Sequence, residues 1–336
     1  MNKLLKFATA TALSALLCSM AGTADAQSPI TLKLAHADSA DLASSRKAVM
    51  ADAFAKEVNA KSGGKINVQV FGAAALGGER EIVEGVKNGF IQAGLASGVM
   101  ANFYPPAMVT DMPYAFGSGE IADRVMDGPF GDKLAADFNA VTGMHNLCFG
   151  EVGFRHFSTG KTAIHSPKDL VGQKIRVQET PLYITEMNAL GAQPTPIAFP
   201  ELYTALQTGV VDGEENPIPT IIFAKLYEVQ KNVTLDGHNY GVDWFVVSDK
   251  FYKSLAPDLL SIVTTAAKNA CAAERKVNRE FSAAGIKTLE AKGVAVYAPT
   301  TAEMAQFKAQ AQQPVVDWLK TKIDAKWVDG LIEATK

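Results

Sequence analysis

Residues 194–217 read PTPIAFPELYTALQTGVVDGEENP. An amphipathic run stops at Gly209, Val210 and Val211 turn toward a core, and then Asp212, Glu214, Glu215 and Asn216 crowd together before Pro217. Three acids and an amide at the head of a core-bound segment form either a surface turn or one wall of a polar site. Adjacent side chains on a strand face opposite ways, so Glu214 and Glu215 do not make a proton-transfer pair, and only one of them points into any one cleft. Upstream, GQKIRVQ sets Arg176 at the end of a short apolar strand. Its planar guanidinium matches a carboxylate with two parallel hydrogen bonds. A structural ion pair with a nearby acid accounts for the residue equally well, and the sequence alone leaves both open.

Other chemistry has no support. HExxH, GxSxG and CxxC motifs and a glycine-rich phosphate loop are all missing from the chain. His36, His145, His156, His165 and His238 are scattered without the spacing of metal ligands. Neither a metal nor a cofactor is expected, and no nucleophile stands beside a base.

The ends of the chain set the compartment. Lys3 and Lys6 precede the apolar stretch FATATALSALLCSMAG, and Ala24-Asp25-Ala26 has the small-x-small form of a cleavage site. Residues 1–26 are read as a secretory signal peptide, which predicts an exported, periplasmic protein. No later segment is apolar for long enough to span a bilayer. The whole chain of 336 residues carries a formal charge of −3. No block of like charge points to nucleic acid or to an anionic membrane surface. Cys148 and Cys271 remain beyond the leader; a disulfide and two separate buried thiols are both compatible with their settings.

The elements that must position these residues come in two series. ITLKLAHA reads as a strand, Leu42 to about Ala60 as a helix, INVQVFG as a strand, a helix follows from about Gly78, and IQAGLAS is a short strand. This order marks a parallel α/β unit whose crevice lies beyond the strand ends, near His36, Gly72 and Ser97. A helix from about Ile121 to Phe138 precedes HNLCFGEVGFRHFST, too long for an ordinary strand and suited to passing between lobes. GQKIRV, PLYITEMNALG, PTPIA, FPELYTALQTG and VVDGEEN repeat the alternation. VTLDGHNYGVDWFVVS supplies a second crossing. A helix from Pro257 to Ala291 is roughly 50 Å long, enough to lie across both lobes. GVAVYAP and a helix from about Thr301 close the chain. No internal repeat is legible. In the second crossing, alternation sets Tyr240, Val242 and Trp244 on one face and Gly241, Asp243 and Phe245 on the other. If Trp244 faces the cleft an aromatic acid is favoured; if Asp243 does, a hydroxylated one.

LGGEREIVEGVKNG (76–89), GFRHFSTGKTAIHSPKDLVGQKIRVQETPLY (153–183) and the opening segment occur in that order. Together they resemble the solute-binding proteins of TRAP transporters, DctP type, over essentially the whole mature chain. The resemblance implies a periplasmic-binding-protein-like α/β fold of two lobes joined by crossing strands and a long helix. Lobe I is expected over 27–150 plus about 242–278, and lobe II over 151–241 plus about 279–336. It also implies capture of a small organic acid between closing lobes, and delivery to the small and large membrane subunits of a permease driven by an ion gradient. Arg176 becomes the carboxylate anchor, Arg155 a second grip, and Asn216 an amide at the mouth of its strand. Asp212, Glu214 and Glu215 hold the sheet edge or orient the arginines. Phe199 packs on the ligand body, and Glu79, Ser97 and His36 face the cleft from lobe I. After GFRH the family often has a Thr-Asn pair and a later arginine; here Ser158-Thr159-Gly160 and Thr162 stand instead. The rival readings are a periplasmic enzyme acting on a small carboxylic acid, and the binding protein of an ATP-driven importer or sensor.

Overall fold

Strand-forming and helix-forming stretches alternate twice along the chain, and each series folds into the same layered unit. The computed structural model describes residues 28–336, so the leader expected over 1–26 lies outside the described residues. The first series comprises β1 (Ile30–Ala35), α1 (Arg46–Lys61), β2 (Ile66–Phe71), α2 (Glu79–Lys87) and β3 (Ala93–Ala96). Two helices, α3 (Gly119–Met126) and α4 (Pro129–Thr142), then replace the single expected one. The chain breaks at Asp127-Gly128, and Pro129 restarts the helix in its first turn, where the missing N–H costs nothing. After β4 (His145–Thr159) the second series comprises β5 (Lys174–Val177), α5 (Pro181–Ala189), β6 (Gln193–Pro196), α6 (Leu202–Gln207) and β7 (Gly213–Asn216). The rest is α7 (Ile218–Phe223), β8 (Asn232–Val247), α8 (Asp249–Ser254), α9 (Pro257–Ala291), β9 (Ala295–Tyr297), α10 (Thr301–Lys322) and α11 (Ala325–Ala334).

All of the strands share one sheet in the order β2-β1-β3-β8-β4-β7-β5-β6, with β9 on β8. The short strands are parallel within each lobe; β8 closes the first antiparallel to β3, and β4 closes the second antiparallel to β7. β4 and β8 therefore run through both lobes, paired with each other, with register shifts at Asn146/Cys148, Glu151/Gly153 and Arg155/Phe157. Such irregularities bend and twist a strand pair. Gly153 sits at the middle one with φ 95°, a conformation that a side chain would strain.

The two series are structural repeats, each with its first strand flanked by its second and third, although no repeat is legible in the sequence. The main-chain N–H of Lys33 on β1 donates to the Gln92 side chain at 3.1 Å, and that of Lys174 on β5 donates to Asp212 at 2.9 Å. The Gln92 carbonyl accepts from Ser248 N, just as the Asp212 carbonyl accepts from Gly160 N. At the turn that ends the second helix of each series, Asn88-Gly89-Phe90-Ile91 stands where the other has Thr208-Gly209-Val210-Val211. Ile91 and Val211 are buried while Phe90 and Val210 are exposed, so the expectation that both valines turn inward fails for Val210, which is 53% exposed. It occupies the outer position of the turn.

The long helix α9 packs along α1, β4 and α7 and so touches both lobes. Cys271 on it is disulfide-bonded to Cys148 on β4, with Cα atoms 6.4 Å apart, which excludes two separate thiols. Trp244 packs edge-on against Phe149 and lies against Tyr104 and Phe138 in the larger apolar core. Among the described residues no helix is long and apolar enough to cross a membrane.

Candidate functional site

The strand ends of the two lobes meet at a cavity lined by Glu79, Ser97, Arg155, Arg176, Gln178 and Asn216, among others. Arg176 is the third residue of β5, and its side chain is almost wholly buried at 2% exposure. Its Nε donates to the Ile197 carbonyl at 2.9 Å. Among the described residues no carboxylate stands within ion-pair distance of it. Burial accordingly draws the guanidinium below the ordinary arginine range, with Glu215, Glu214 and Glu79 opposing this only from a distance. A buried cation lacking a partner is costly, and an anion arriving at its free fork relieves that cost.

Arg155 is in the opposite situation. It lies on β4, 1% exposed, with Nη2 donating to Glu215 Oε1 at 2.8 Å and Nε donating to Glu215 Oε2. Nη2 also reaches Asn216 Oδ1 at 3.2 Å, and the guanidinium lies over the Tyr183 ring at 5.2 Å. Burial works against this cation, yet Glu215 holds its pKa above the usual range. Burial likewise raises the Glu215 carboxyl, but Arg155 and His238 outweigh it and keep the group below its ordinary value. His238, 3.3 Å from Glu215, has its Nδ1 2.8 Å from Asp236. Burial disfavours its charge, but Asp236 and Glu215 push the ring up to about 10.

The acids of DGEEN are thus distributed among separate tasks, and the surface-turn reading fails. Asp212 anchors the start of β5, and Glu215 neutralises Arg155. Glu214 receives hydrogen bonds from Ser158 Oγ and from the Asn216 amide, while burial pushes its carboxyl up to about 7. Gly213–Asn216 pair in register with Thr159–His156 of β4, which brings both arginine-bearing strands beside this one. Asn216 lines the cavity with its amide oxygen turned to Arg155 and its NH2 group to Glu214.

The wall contributed by lobe I contains residues that sequence reasoning missed. Arg46 and Lys47 open α1 and are both buried. Arg46 Nε lies 2.8 Å from Asp243 and its Nη1 3.0 Å from Asp38. Lys47 Nζ contacts Glu79, Asp243 at 3.2 Å and Asp38 at 3.5 Å. Glu79 also accepts from Ser97 N at 2.9 Å. A signal for this cluster was present: two cations in a first turn with no acid oppose the helix dipole and need carboxylates supplied from elsewhere. Across the cavity, Arg46 donates to Thr220 at 3.3 Å, Ser97 Oγ lies 3.2 Å from Gln178, and Asn102 donates to the Glu179 carbonyl at 2.7 Å. These three contacts hold the walls together, and the space left between them is about 40 Å³.

Of the remaining expected residues, Phe199 lines the cavity opposite lobe I, with its ring edge-on to Phe223 at 5.9 Å. Asp243 is fully buried beneath Arg46 and Lys47 and acts on the cavity only through them. Trp244 does not reach the cavity; it packs in the larger apolar core. His36 does not line it either. Its ring turns toward Gly72, its two nitrogens have no partner among the described residues, and burial lowers it to about 4. No grouping of His, Cys, Asp and Glu that could hold a metal ion occurs among the described residues.

Residues 38–321 match the family model DctP, described as bacterial extracellular solute-binding protein, family 7. A solute-binding protein of Verminephrobacter eiseniae is 39% identical over 276 residues, which are 82% of this chain and 80% of that one. The C4-dicarboxylate-binding periplasmic protein DctP of Rhodobacter capsulatus is 30% identical over 311 residues, 91% of each chain. The crystal structure of the sugar acid binding protein DctPAm of Advenella mimigardefordensis, in complex with galactonate, superposes with a TM-score of 0.88 at 32% identity, covering 91% of this chain and 98% of that one. With the bilobed sheet, the crossing strands and a cavity between the strand ends, these matches establish that the chain belongs to the DctP family of bacterial extracellular solute-binding proteins, the solute-binding components of TRAP transporters.

Proposed function

We propose that this protein is a periplasmic receptor that closes on a small organic acid, with Arg176 as the carboxylate anchor, and hands it to the small and large membrane subunits of a TRAP permease. The observation that carries the reading is the contrast between two buried arginines. Arg155 is neutralised by Glu215, whereas Arg176 spends only Nε on a carbonyl and keeps the rest of its fork for the cavity. Arg155 and Asn216 border the same space and orient the acid, and Phe199 covers its body. Lobe I spans 27–150 plus about 242–278 and lobe II 151–241 plus about 279–336; this division is supported by the pairing of Glu151 with Val242 midway along the crossing strands. Closure then removes the ion pair from water, where it strengthens. Binding without turnover follows from groups that offer complementary charge and hydrogen bonds.

The test is a thermal-shift screen of the mature protein against small organic acids, with Arg176→Ala as the control. A ligand at about a hundredfold above its dissociation constant adds roughly 2.7 kcal/mol of stability. Shifts produced by a few acids and lost in the variant are expected. A shift that survives the substitution refutes the anchor. Conversion of a bound acid into product would favour the enzyme reading.

A further inference from the structure

The two walls of the cavity differ in charge. On the wall of lobe II, Arg155 and Arg176 have one carboxylate in ion-pair contact between them, that of Glu215. Glu214 on the same wall is hydrogen-bonded by Ser158 and Asn216. On the wall of lobe I, Arg46 and Lys47 are outnumbered by Asp38, Asp243 and Glu79. The rim adds one exposed charge of each sign, Arg80 and Glu81, and Glu179 stands half-buried at the mouth. Glu79 faces Arg176 across the space, fixed in place by Lys47 and by the N–H of Ser97. A carboxylate seated on Arg176 therefore leaves the far end of the ligand against a wall where Glu79 and Asp38 are fixed acceptors and the one buried cation in that wall's lining, Arg46, is already paired with Asp38 and Asp243. Hydroxyl groups satisfy such a surface, because an ionised carboxylate accepts several hydrogen bonds and donates none. Ser97, Gln178 and Thr220 supply neutral polar groups around it. A second carboxylate places like charges together where water is excluded, and such juxtaposition is strongly unfavourable.

We infer that Glu79, on a wall of lobe I with surplus negative charge, restricts the ligand to acids with one carboxylate and hydroxyl groups at the other end, and rejects dicarboxylates of the same length. This rests on the reading of Arg176 as the anchor. The test is calorimetric titration of the mature protein with matched pairs that differ only in the terminal carbon: threonate and tartrate, xylonate and xylarate, galactonate and galactarate. In at least one pair the monocarboxylate binds more tightly by about a hundredfold, the scale expected of a like-charge clash. Glu79→Gln should shrink that ratio to below about tenfold, chiefly by improving the dicarboxylate, while Glu79→Asp, which keeps the charge, should preserve the ratio. Melting curves of both variants confirm folding. Dicarboxylate binding at parity in the unaltered protein, or equal losses for both acids in Glu79→Gln, overturns the inference and leaves the anchor standing. No binding by any of the six acids, or binding indifferent to Arg176→Ala, overturns the anchor and the inference with it.

Discussion

Replacing Arg176 by methionine should separate function from stability by sign. With the two walls in contact the guanidinium is 2% exposed and meets no carboxylate, so burial of its charge is only partly offset, and opening of the lobes without ligand hydrates it and takes the gain from its removal toward zero. The effective penalty for such an ion in a folded protein is several kcal/mol. Against this, the substitution loses one charged hydrogen bond to the Ile197 carbonyl, about 1.5–3 kcal/mol, while methionine retains much of the apolar packing. The balance runs from zero to about 3 kcal/mol of stabilisation, seen as a melting temperature unchanged or raised by a few degrees. Affinity for the acid should meanwhile fall by more than about a hundredfold, since a desolvated charge pair is removed. The comparison variant is Arg155→Met. It strands Glu215 with only His238 as a cationic partner and should cost about 3–5 kcal/mol of stability. Differential scanning calorimetry of the two variants without ligand, followed by titration calorimetry, makes the comparison. If Arg176→Met lowers the melting temperature as far as Arg155→Met does, Arg176 is a structural cation and the reasoning fails.

Three further outcomes follow from the geometry. Reduction of Cys148–Cys271, or its replacement by serines, should lower stability by up to about 5 kcal/mol, because the bridge closes a loop of more than a hundred residues; melting with and without reductant reads this directly. Burial pushes Glu186 up to about 8, so the folded protein holds a proton that the unfolded chain releases near its ordinary carboxylate value. That contribution is full at low pH and is lost as pH rises through about 8; Glu186→Gln, which keeps an acceptor for Asn239, should flatten the decline between about pH 6.5 and 8 by up to about 1.4 kcal/mol per pH unit, and a parallel decline in urea titrations would refute this. Thr220→Val removes the acceptor through which Arg46 reaches across the cleft and should weaken ligand binding several-fold, by about 0.5–1.5 kcal/mol, with little effect on ligand-free melting.

The elements were legible where one period dominates. The long β-prone runs HNLCFGEVGFRHFST and VTLDGHNYGVDWFVVS gave both crossing strands almost to the residue, although both strands are buried along most of their length. The break between α3 and α4 was overlooked because Asp127-Gly128-Pro129 sits inside a run whose apolar periodicity continues across it. The structural repeat of the two series was illegible for a different reason. What the two share includes main-chain hydrogen bonds to the side chains of Gln92 and Asp212, which residues of unlike type satisfy equally well. Trp244 and Asp243 could be assigned to opposite faces but not to a core or a cleft, since alternation fixes relative and not absolute orientation.

The cavity itself divided along the same line. Arg176, Arg155 and Asn216 belong to neighbouring strands, and it was the family resemblance, not local pattern alone, that gathered them. Arg46, Lys47, Asp38 and Asp243 come from a helix start, a loop and the far end of β8, and only the tertiary fold joins them. Their one local trace is the pair of cations at a helix N-terminus, an arrangement the backbone dipole disfavours. A sequence that breaks a local rule without a local compensation points to a compensation in space, and violations of this kind concentrate at functional sites. In this protein the compensation is the group of acids on the wall of lobe I, Asp38, Asp243 and Glu79, which pair with both cations. The two cations that sequence reading missed are thereby the ones that gather the acids of lobe I beside the cavity.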